Sequence, residues 1–236
     1  MKKAGIALVA LLIVLAGVLF WLHSNMDSLV KSAIEKYGSE MTGAKVQVAS
    51  VEIRAAQGTG IVRGFVVGNP PGFRTPYALK VDEIEMDLDA SSIAKPVVLI
   101  DKIAIASPDI IYEKANGTTN FDVIQKHIAD HVGSSTGNAG GQGSGRKLIV
   151  GKLSIRDAKA QASAEFMKGR TLAVKLPDIT LNGIGKAEGG VSPGKLGQKV
   201  AGALKAKLEA AVSFDALAKS MGKTLENAGS AIRGLF

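Results

Sequence analysis

An uninterrupted apolar segment near the N-terminus constrains this chain more than any other feature. Residues 4–22 read AGIALVALLIVLAGVLFWL and contain no charged side chain. At 1.5 Å per residue, a helix of this length spans about 28 Å, close to the ~30 Å hydrocarbon core of a bilayer. Because Lys2 and Lys3 precede the segment, the positive-inside bias predicts a cytoplasmic N-terminus and places the rest of the chain across the membrane.

The alternative interpretation of this segment is a cleaved signal peptide. Such a peptide usually has a shorter apolar region, of about 7–15 residues, followed by a small-x-small cleavage site. Here the run ends in Phe20-Trp21-Leu22-His23, which offers no such site. The sequence therefore favours an uncleaved anchor. The chain contains no cysteine, which excludes lipoprotein attachment, disulfides and thiol chemistry.

The charge of the chain bears on its partners. The formal net charge is +8, and much of the excess lies in the lysine-rich stretch after Lys186. Basic tails can bind nucleic acid, but these lysines are not interleaved with aromatic residues and the chain is expected to be exported. We therefore expect a membrane surface as the partner and no nucleic acid. A simple solvated helix face remains an equal alternative.

The hydrophobic periodicity predicts the fold class. Residues 24–41 show a helical period, two later regions alternate with a period of two, and the helical period returns from Pro193. The expected fold is α+β, with a mostly antiparallel sheet and flanking helices. The predicted divisions are a cytoplasmic tip and anchor at 1–23, a first half at 24–132, a Gly/Ser-rich linker at 133–146, and a second half at 147–236.

The alternating strands predict a sheet with one apolar face. If helices leave part of that face uncovered, it can bind a hydrophobic ligand; if they cover it entirely, it is an ordinary core. The candidate lipid-contacting residues are Ile84, Met86, Leu88, Leu99, Ile103 and Ile105.

The C-terminal region Pro193–Phe236 is expected to form one or two amphipathic helices, broken near Ser213 or Gly222. Their apolar stripe can pack on the sheet or lie on a membrane surface. Packing is favoured, since each large apolar side chain left in water costs about 1.5–3 kcal/mol.

Catalytic and metal chemistry has little support in the sequence. His127 and His131 have the spacing of a two-histidine metal site, but Ile128 stands where a metalloprotease has glutamate, and Asp130 is the only further ligand nearby. Two histidines on a polar helix face are the preferred interpretation. The carboxylates of Glu83, Glu85 and Asp87 are best explained as a solvated strand face. We expect no enzyme activity, no catalytic residue, no cofactor and no metal.

Several segments together resemble the AsmA-like family of bacterial envelope proteins. The resemblance is carried by VGNPPGF at 67–73, KVDEIEMDL at 80–88, IAIASP at 103–108 with Ile111, GTTNF at 117–121, LSIRD at 153–157, LPDI at 176–179 and NGIG at 182–185. No single motif is highly specific; their order and spacing carry the likeness. The family-motif loop consists of Asn69, Pro70, Pro71, Gly72 and Phe73.

This resemblance implies a single-pass protein of the bacterial inner membrane with a periplasmic body. It implies an amphipathic, twisted sheet curled into a short groove, and a role in binding or moving phospholipid for outer-membrane homeostasis. Larger relatives are implicated in moving phospholipid between the two membranes. About eight strands at 4.7–4.9 Å give a groove of only about 40 Å, so one copy is not expected to bridge the envelope. The alternative is a non-enzymatic scaffold or assembly factor that binds other envelope proteins.

Overall fold

The computed structural model of the chain describes residues 27–54, 56–137 and 146–219. The predicted anchor at 4–22, most of the predicted linker and the C-terminal stretch from residue 220 lie outside these ranges. Among the described residues, no helix combines the length and the apolar character that crossing a membrane requires.

The described residues form an α+β fold, as the sequence predicts, and its strands belong to one mixed sheet. The helices are α1 at 27–42, α2 at Asn120–Gly137, α3 at Pro193–Ala211 and a short α4 at 214–219. The strands are β1 (Val46–Gln47), β2 (Ser50–Arg54), β3 (Thr59–Val67), β4 (Leu79–Leu88), β5 (Val97–Ala106), β6 (Asp109–Ala115), β7 (Thr118–Thr119), β8 (Lys147–Arg156), β9 (Lys159–Ala164), β10 (Leu172–Lys175) and β11 (Ile179–Ile184).

Two pairs of these strands are halves of longer, bent strands. Ser107 and Asp157, which follow β5 and β8, adopt positive φ angles of 49° and 52°, and this backbone turns each strand before β6 and β9 begin. β5 pairs with β8 and β6 with β9 in parallel, and the register keeps an offset of 50 residues on both sides of the bend, from Val97↔Lys147 to Lys114↔Ala164.

The remaining strand pairs are antiparallel, so the sheet is mixed and mostly antiparallel. Before the bend the strand order is β2-β3-β4-β5-β8-β11. After the bend, β6 lies between β4 and β9, and β10 pairs with β9. The two predicted halves of the chain therefore share one sheet through the β5–β8 and β6–β9 ladders. The helix α2 continues to Gly137, so residues 133–137 of the predicted linker are helical.

A β-bulge in β5 changes which side chains share a face. Asp87 pairs with Lys102, but the next residue Leu88 pairs with Ile100, which leaves Asp101 as the extra residue. Ile100 therefore lies on the same face as Ile103, and Leu99 lies on the opposite face. The alternation along β5 in the sequence predicts that Leu99, Ile103 and Ile105 share one face, and the bulge makes this prediction wrong for Leu99.

The helix α1 lies along the β1–β2 edge of the sheet. Its side chains accept hydrogen bonds from three backbone N–H groups of this edge: Asp27 from Ile53 at 3.0 Å, Glu35 from Val48 at 2.9 Å, and Ser39 from Val46 at 2.9 Å. An uncovered edge strand presents unpaired backbone groups to other chains, and α1 blocks this edge.

The helices α2 and α3 pack against each other and against the sheet. Leu204 and Leu208 of α3 are buried at 4% and 0% exposure in the same core cluster as Ile124 of α2 and Val150 of β8. The apolar stripe of Pro193–Ala211 thus packs on the body, as favoured from the sequence. The break that follows at Val212 and Ser213 also agrees with the prediction.

An ion-pair cluster joins the polar sides of α2 and α3. The Lys205 ammonium lies 3.0 Å from Asp122 and 2.6 Å from Glu209. Partial burial opposes ionisation of Asp122, but the hydrogen bonds from the Thr119 hydroxyl and from Lys205 prevail and lower its pKa. The hydrogen bonds to Glu209 and Asp122 raise the pKa of Lys205.

Candidate functional site

Three rows of apolar residues cross one face of the sheet, and we name this the apolar face. Cross-strand pairing aligns the first row as Val51, Val62, Ile84, Ile105, Ile155 and Ile179. The second row is Ile53, Gly60, Met86, Ile103, Leu153 and Leu181. The third row is Leu88, Ile100, Val150 and Ile184. Five of the six predicted lipid-contacting residues therefore share this face, and Leu99 does not.

Burial along each row rises from the centre of the sheet toward β8. In the second row Met86 is half-buried, Ile103 is 8% exposed and Leu153 is 3% exposed. In the third row Leu88 is half-buried, whereas Val150 is completely buried. The least covered apolar side chains of the apolar face thus include those of a central strand, where full burial is the usual arrangement.

Two buried clusters flank these side chains, and Ile84 and Met86 pack against both of them. On one side, Val30 and Ile34 of α1 pack on a cluster of Val48, Val51 and Val62. On the other side, α2 and α3 cover the larger cluster that contains Val150 and Leu153. Four half-buried residues lie between the two clusters, and we name them the β4 strip: Ile84, Met86, Leu88 and Ile105.

Gly60 shapes the floor of the β4 strip. A Cβ atom at this position would lie 3.3 Å from the Met86 methyl carbon and 3.7 Å from a Leu88 methyl carbon. The missing side chain lets these two residues lean over β3, so the strip is continuous across the strand pair. Apolar side chains that are only half-buried in this way form a surface that a hydrocarbon chain can cover.

Charged side chains of four strands lie on the opposite face of the sheet, which we name the polar face. Arg63 joins Glu52 at 3.1 Å and Glu83 at 2.9 Å across three strands, and Lys102 lies 3.9 Å from Asp87. The hydrogen bonds from Arg63 and Arg54 lower the pKa of Glu52. The predicted solvated face formed by Glu83, Glu85 and Asp87 is confirmed, since Glu85 and Asp87 are exposed and Glu83 is 42% exposed at its side chain.

The family-motif loop is held by a buried carboxylate. Glu113 of β6 is 1% exposed and accepts hydrogen bonds from the backbone N–H groups of Arg74 and Thr75, both at 2.8 Å, and from the Thr75 hydroxyl at 2.6 Å. Asn69 donates to the Thr75 carbonyl at 2.7 Å and accepts from the Asn120 amide at 2.8 Å. Within the loop, Pro70 is buried, Phe73 is half-buried, and Pro71 and Gly72 are exposed.

Sequence reasoning missed Glu113 and Asn120 as the partners of this loop. Asn120 accepts from the Glu113 N–H at 3.0 Å and donates to the Ile111 carbonyl at 2.8 Å, so it joins β6 to the start of α2. The available signal was a charged residue inside the apolar strand segment IIYEKA. Every buried side-chain polar atom in the described residues has a hydrogen-bond partner. We therefore interpret this network as structural and name it the Glu113 clamp, because it holds the loop to β6 and to the start of α2.

His127 and His131 lie on α2, where His127 is exposed and His131 is half-buried. Among the residues that the structure describes, no group of three or more His, Asp or Glu side chains is arranged to hold a metal ion. Two surface clefts lie beside α1 and share Ser39 and Lys45, and the second is also lined by Asn69, Pro70, Pro71 and Phe73.

No family model matches the chain, and no curated protein matches it. The resemblance to AsmA-like proteins stays a prediction from the motifs of the sequence.

Proposed function

We propose that this chain is an AsmA-like protein, anchored in the bacterial inner membrane by residues 4–22, whose periplasmic body binds the acyl chains of phospholipid on the β4 strip. This activity serves phospholipid handling in outer-membrane homeostasis. The proposal assigns the chain no catalytic step. The observation that supports it is the β4 strip, whose aligned apolar side chains are only half-buried although they lie in the middle of the sheet.

The dimensions of the β4 strip suit an acyl chain. From Ile84 to Leu88 the strand advances about 13 Å at 3.3 Å per residue. Each half-buried side chain retains apolar area that a hydrocarbon chain can cover, at about 25 cal/mol per Å² removed from water. Full coverage of a few such side chains is worth several kcal/mol before the cost of ordering the lipid is subtracted. This is a weak, exchangeable site rather than a sealed cavity.

Neighbouring positions on β4 provide the test. A photoactivatable amino acid at Met86 points to the apolar face, and the same amino acid at Glu85 points to the polar face as a matched control. Irradiation of the full chain in cells, followed by mass spectrometry, should give phospholipid adducts at Met86 and none at Glu85. Equal or absent adducts at the two positions would refute the proposed lipid site.

A scaffold that binds other envelope proteins is the second candidate. It is favoured by a different observation: the β8 residues of the apolar rows are already buried in the cluster that α2 and α3 cover, while Phe166 and Leu172 remain 47% and 50% exposed at the far end of the sheet. Photo-crosslinking from Phe166 should then capture one reproducible protein partner. Such a partner together with lipid-free protein would favour the scaffold over the lipid site.

A further inference from the structure

One end of the sheet is tied to the start of the described chain. The Asp27 carboxylate, in the first described turn of α1, accepts a hydrogen bond from the Ile53 N–H, near the end of β2. The strands β4 and β11 finish at this same end, and β3, β5 and β8 begin there. Only four residues lie between Leu22, the last residue of the apolar segment, and Asp27. The five residue steps from Leu22 to Asp27 extend at most about 18 Å.

The loops at this end of the sheet carry an excess of positive charge, and we name this end of the sheet the basic end. Its cations are Arg54, Lys95, Arg146, Lys147, Lys186 and Lys195, all exposed. The carboxylates at this end are already engaged: Asp27 accepts from the Ile53 N–H, Asp89 accepts from the Ser91 N–H at 2.9 Å, Glu52 pairs with Arg54, and Glu188 pairs with Lys199 at 2.8 Å. Within the described residues, Lys95, Lys147, Lys186 and Lys195 form no ion pair.

Contacts between the loops hold these cations on one surface. The backbone N–H of Lys147 donates to the Pro96 carbonyl at 2.9 Å, and Arg146 donates to the Ile93 carbonyl. Leu148 and Val191 exchange backbone hydrogen bonds of 2.8 and 2.9 Å, which brings the loop containing Lys186 beside them. The segments that carry Lys95, Arg146, Lys147 and Lys186 therefore form one connected surface.

We infer that the basic end rests on the surface of the membrane in which residues 4–22 are anchored, and that its lysines and Arg146 contact anionic lipid headgroups. This inference depends on the proposed anchor. The opposite end of the sheet also carries cations, such as Lys168 and Arg170. Charge alone therefore does not select an end, and the short connection from residues 4–22 to α1 decides which end faces the bilayer. A cation near an anionic surface contributes about 1 kcal/mol. Leu88, the last residue of the β4 strip, then lies at the membrane-facing end.

The absence of cysteine makes a direct test simple. The full chain is reconstituted in vesicles that contain phosphatidylglycerol, with a single polarity-sensitive fluorophore on Ala94→Cys or on Asn116→Cys. These positions lie in exposed turns at opposite ends of the β5–β6 strand, which extends up to about 60 Å. Headgroup-labelled quencher lipids should quench the probe at Ala94 and leave the probe at Asn116 unaffected.

Charge variants complete the test. Neutralising Lys95, Lys147 and Lys186 with glutamine should reduce the contact equilibrium of the Ala94 probe about fivefold per cation. The matched variant Lys168→Gln with Arg170→Gln should leave it unchanged. If the chain co-floats with vesicles but both probes are quenched equally, the inference is overturned and the anchor stands. If the chain fails to co-float, the anchor and the inference are overturned together.

Discussion

Removing the carboxylate of Glu113 should destabilise the body more than almost any other single polar change. In the Glu113→Ala variant, the N–H groups of Arg74 and Thr75 and the Thr75 hydroxyl lose an acceptor that they reach at 2.6–2.8 Å. A buried donor left without a partner costs about 1–3 kcal/mol. Thr75 is buried, whereas Arg74 is exposed and its N–H can find water. The expected loss in the free energy of unfolding is therefore about 3–5 kcal/mol.

The conservative variant Glu113→Gln distinguishes hydrogen bonding from packing. Glutamine keeps one acceptor oxygen but turns an NH₂ group toward the remaining donors. It preserves the side-chain volume, so packing alone predicts almost no loss. If the hydrogen bonds matter, the free energy of unfolding should fall by about half as much as in the Glu113→Ala variant. Amide exchange at Thr75 should also become faster, because the loop at 69–75 is released from β6.

Urea unfolding of the full chain in detergent, followed by far-UV circular dichroism, measures these changes. Glu85→Ala on the exposed polar face is the matched control and should stay within about 0.5 kcal/mol of the parent. A loss below about 1 kcal/mol for Glu113→Ala, with the Thr75 amide still protected, would show that the clamp contributes little and would refute the reasoning.

Three further predictions address the turns, the sheet edge and the helix pair. Gly58→Ala should lower the free energy of unfolding by about 2–4 kcal/mol, measured in urea, because φ is +67° and the new methyl group meets a β4 carbonyl. Gly117→Ala is the control: its φ is +78°, but the new methyl group meets no neighbouring atom within 4 Å, so the loss should be less than half as large. Ser39→Ala leaves one edge N–H of β1 without its acceptor and should cost about 1 kcal/mol, checked by thermal unfolding; no change would show that water replaces the hydroxyl. The pKa of Asp122 is lowered, so its contribution to stability is present above about pH 4 and is lost as the pH falls below its ordinary value of 3.8. Asp122→Asn should therefore be less stable than the parent at pH 7, and this difference should shrink as the pH is lowered below 3.8; a constant difference would contradict the pairing with Lys205.

The sequence by itself determined the features that depend on local periodicity. Side chains of a strand alternate between faces whatever the strand pairs with, so Ile84, Met86 and Leu88 had to share one face. A helical stripe likewise specifies a buried side, and Leu204 and Leu208 occupy it in the structure. Much of the apolar face was predictable for this reason.

Only the tertiary structure decided which strands meet and in which register. The bulge at Asp101 moves Leu99 off the apolar face, and it is visible only once β4 is seen pairing with β5. The parallel β5–β8 ladder joins residues 50 positions apart, and Glu113 finds Thr75 across 38 residues. Such contacts depend on non-local burial and hydrogen bonding, which no local pattern records. The half-open β4 strip has the same origin, since its exposure depends on where α1, α2 and α3 pack.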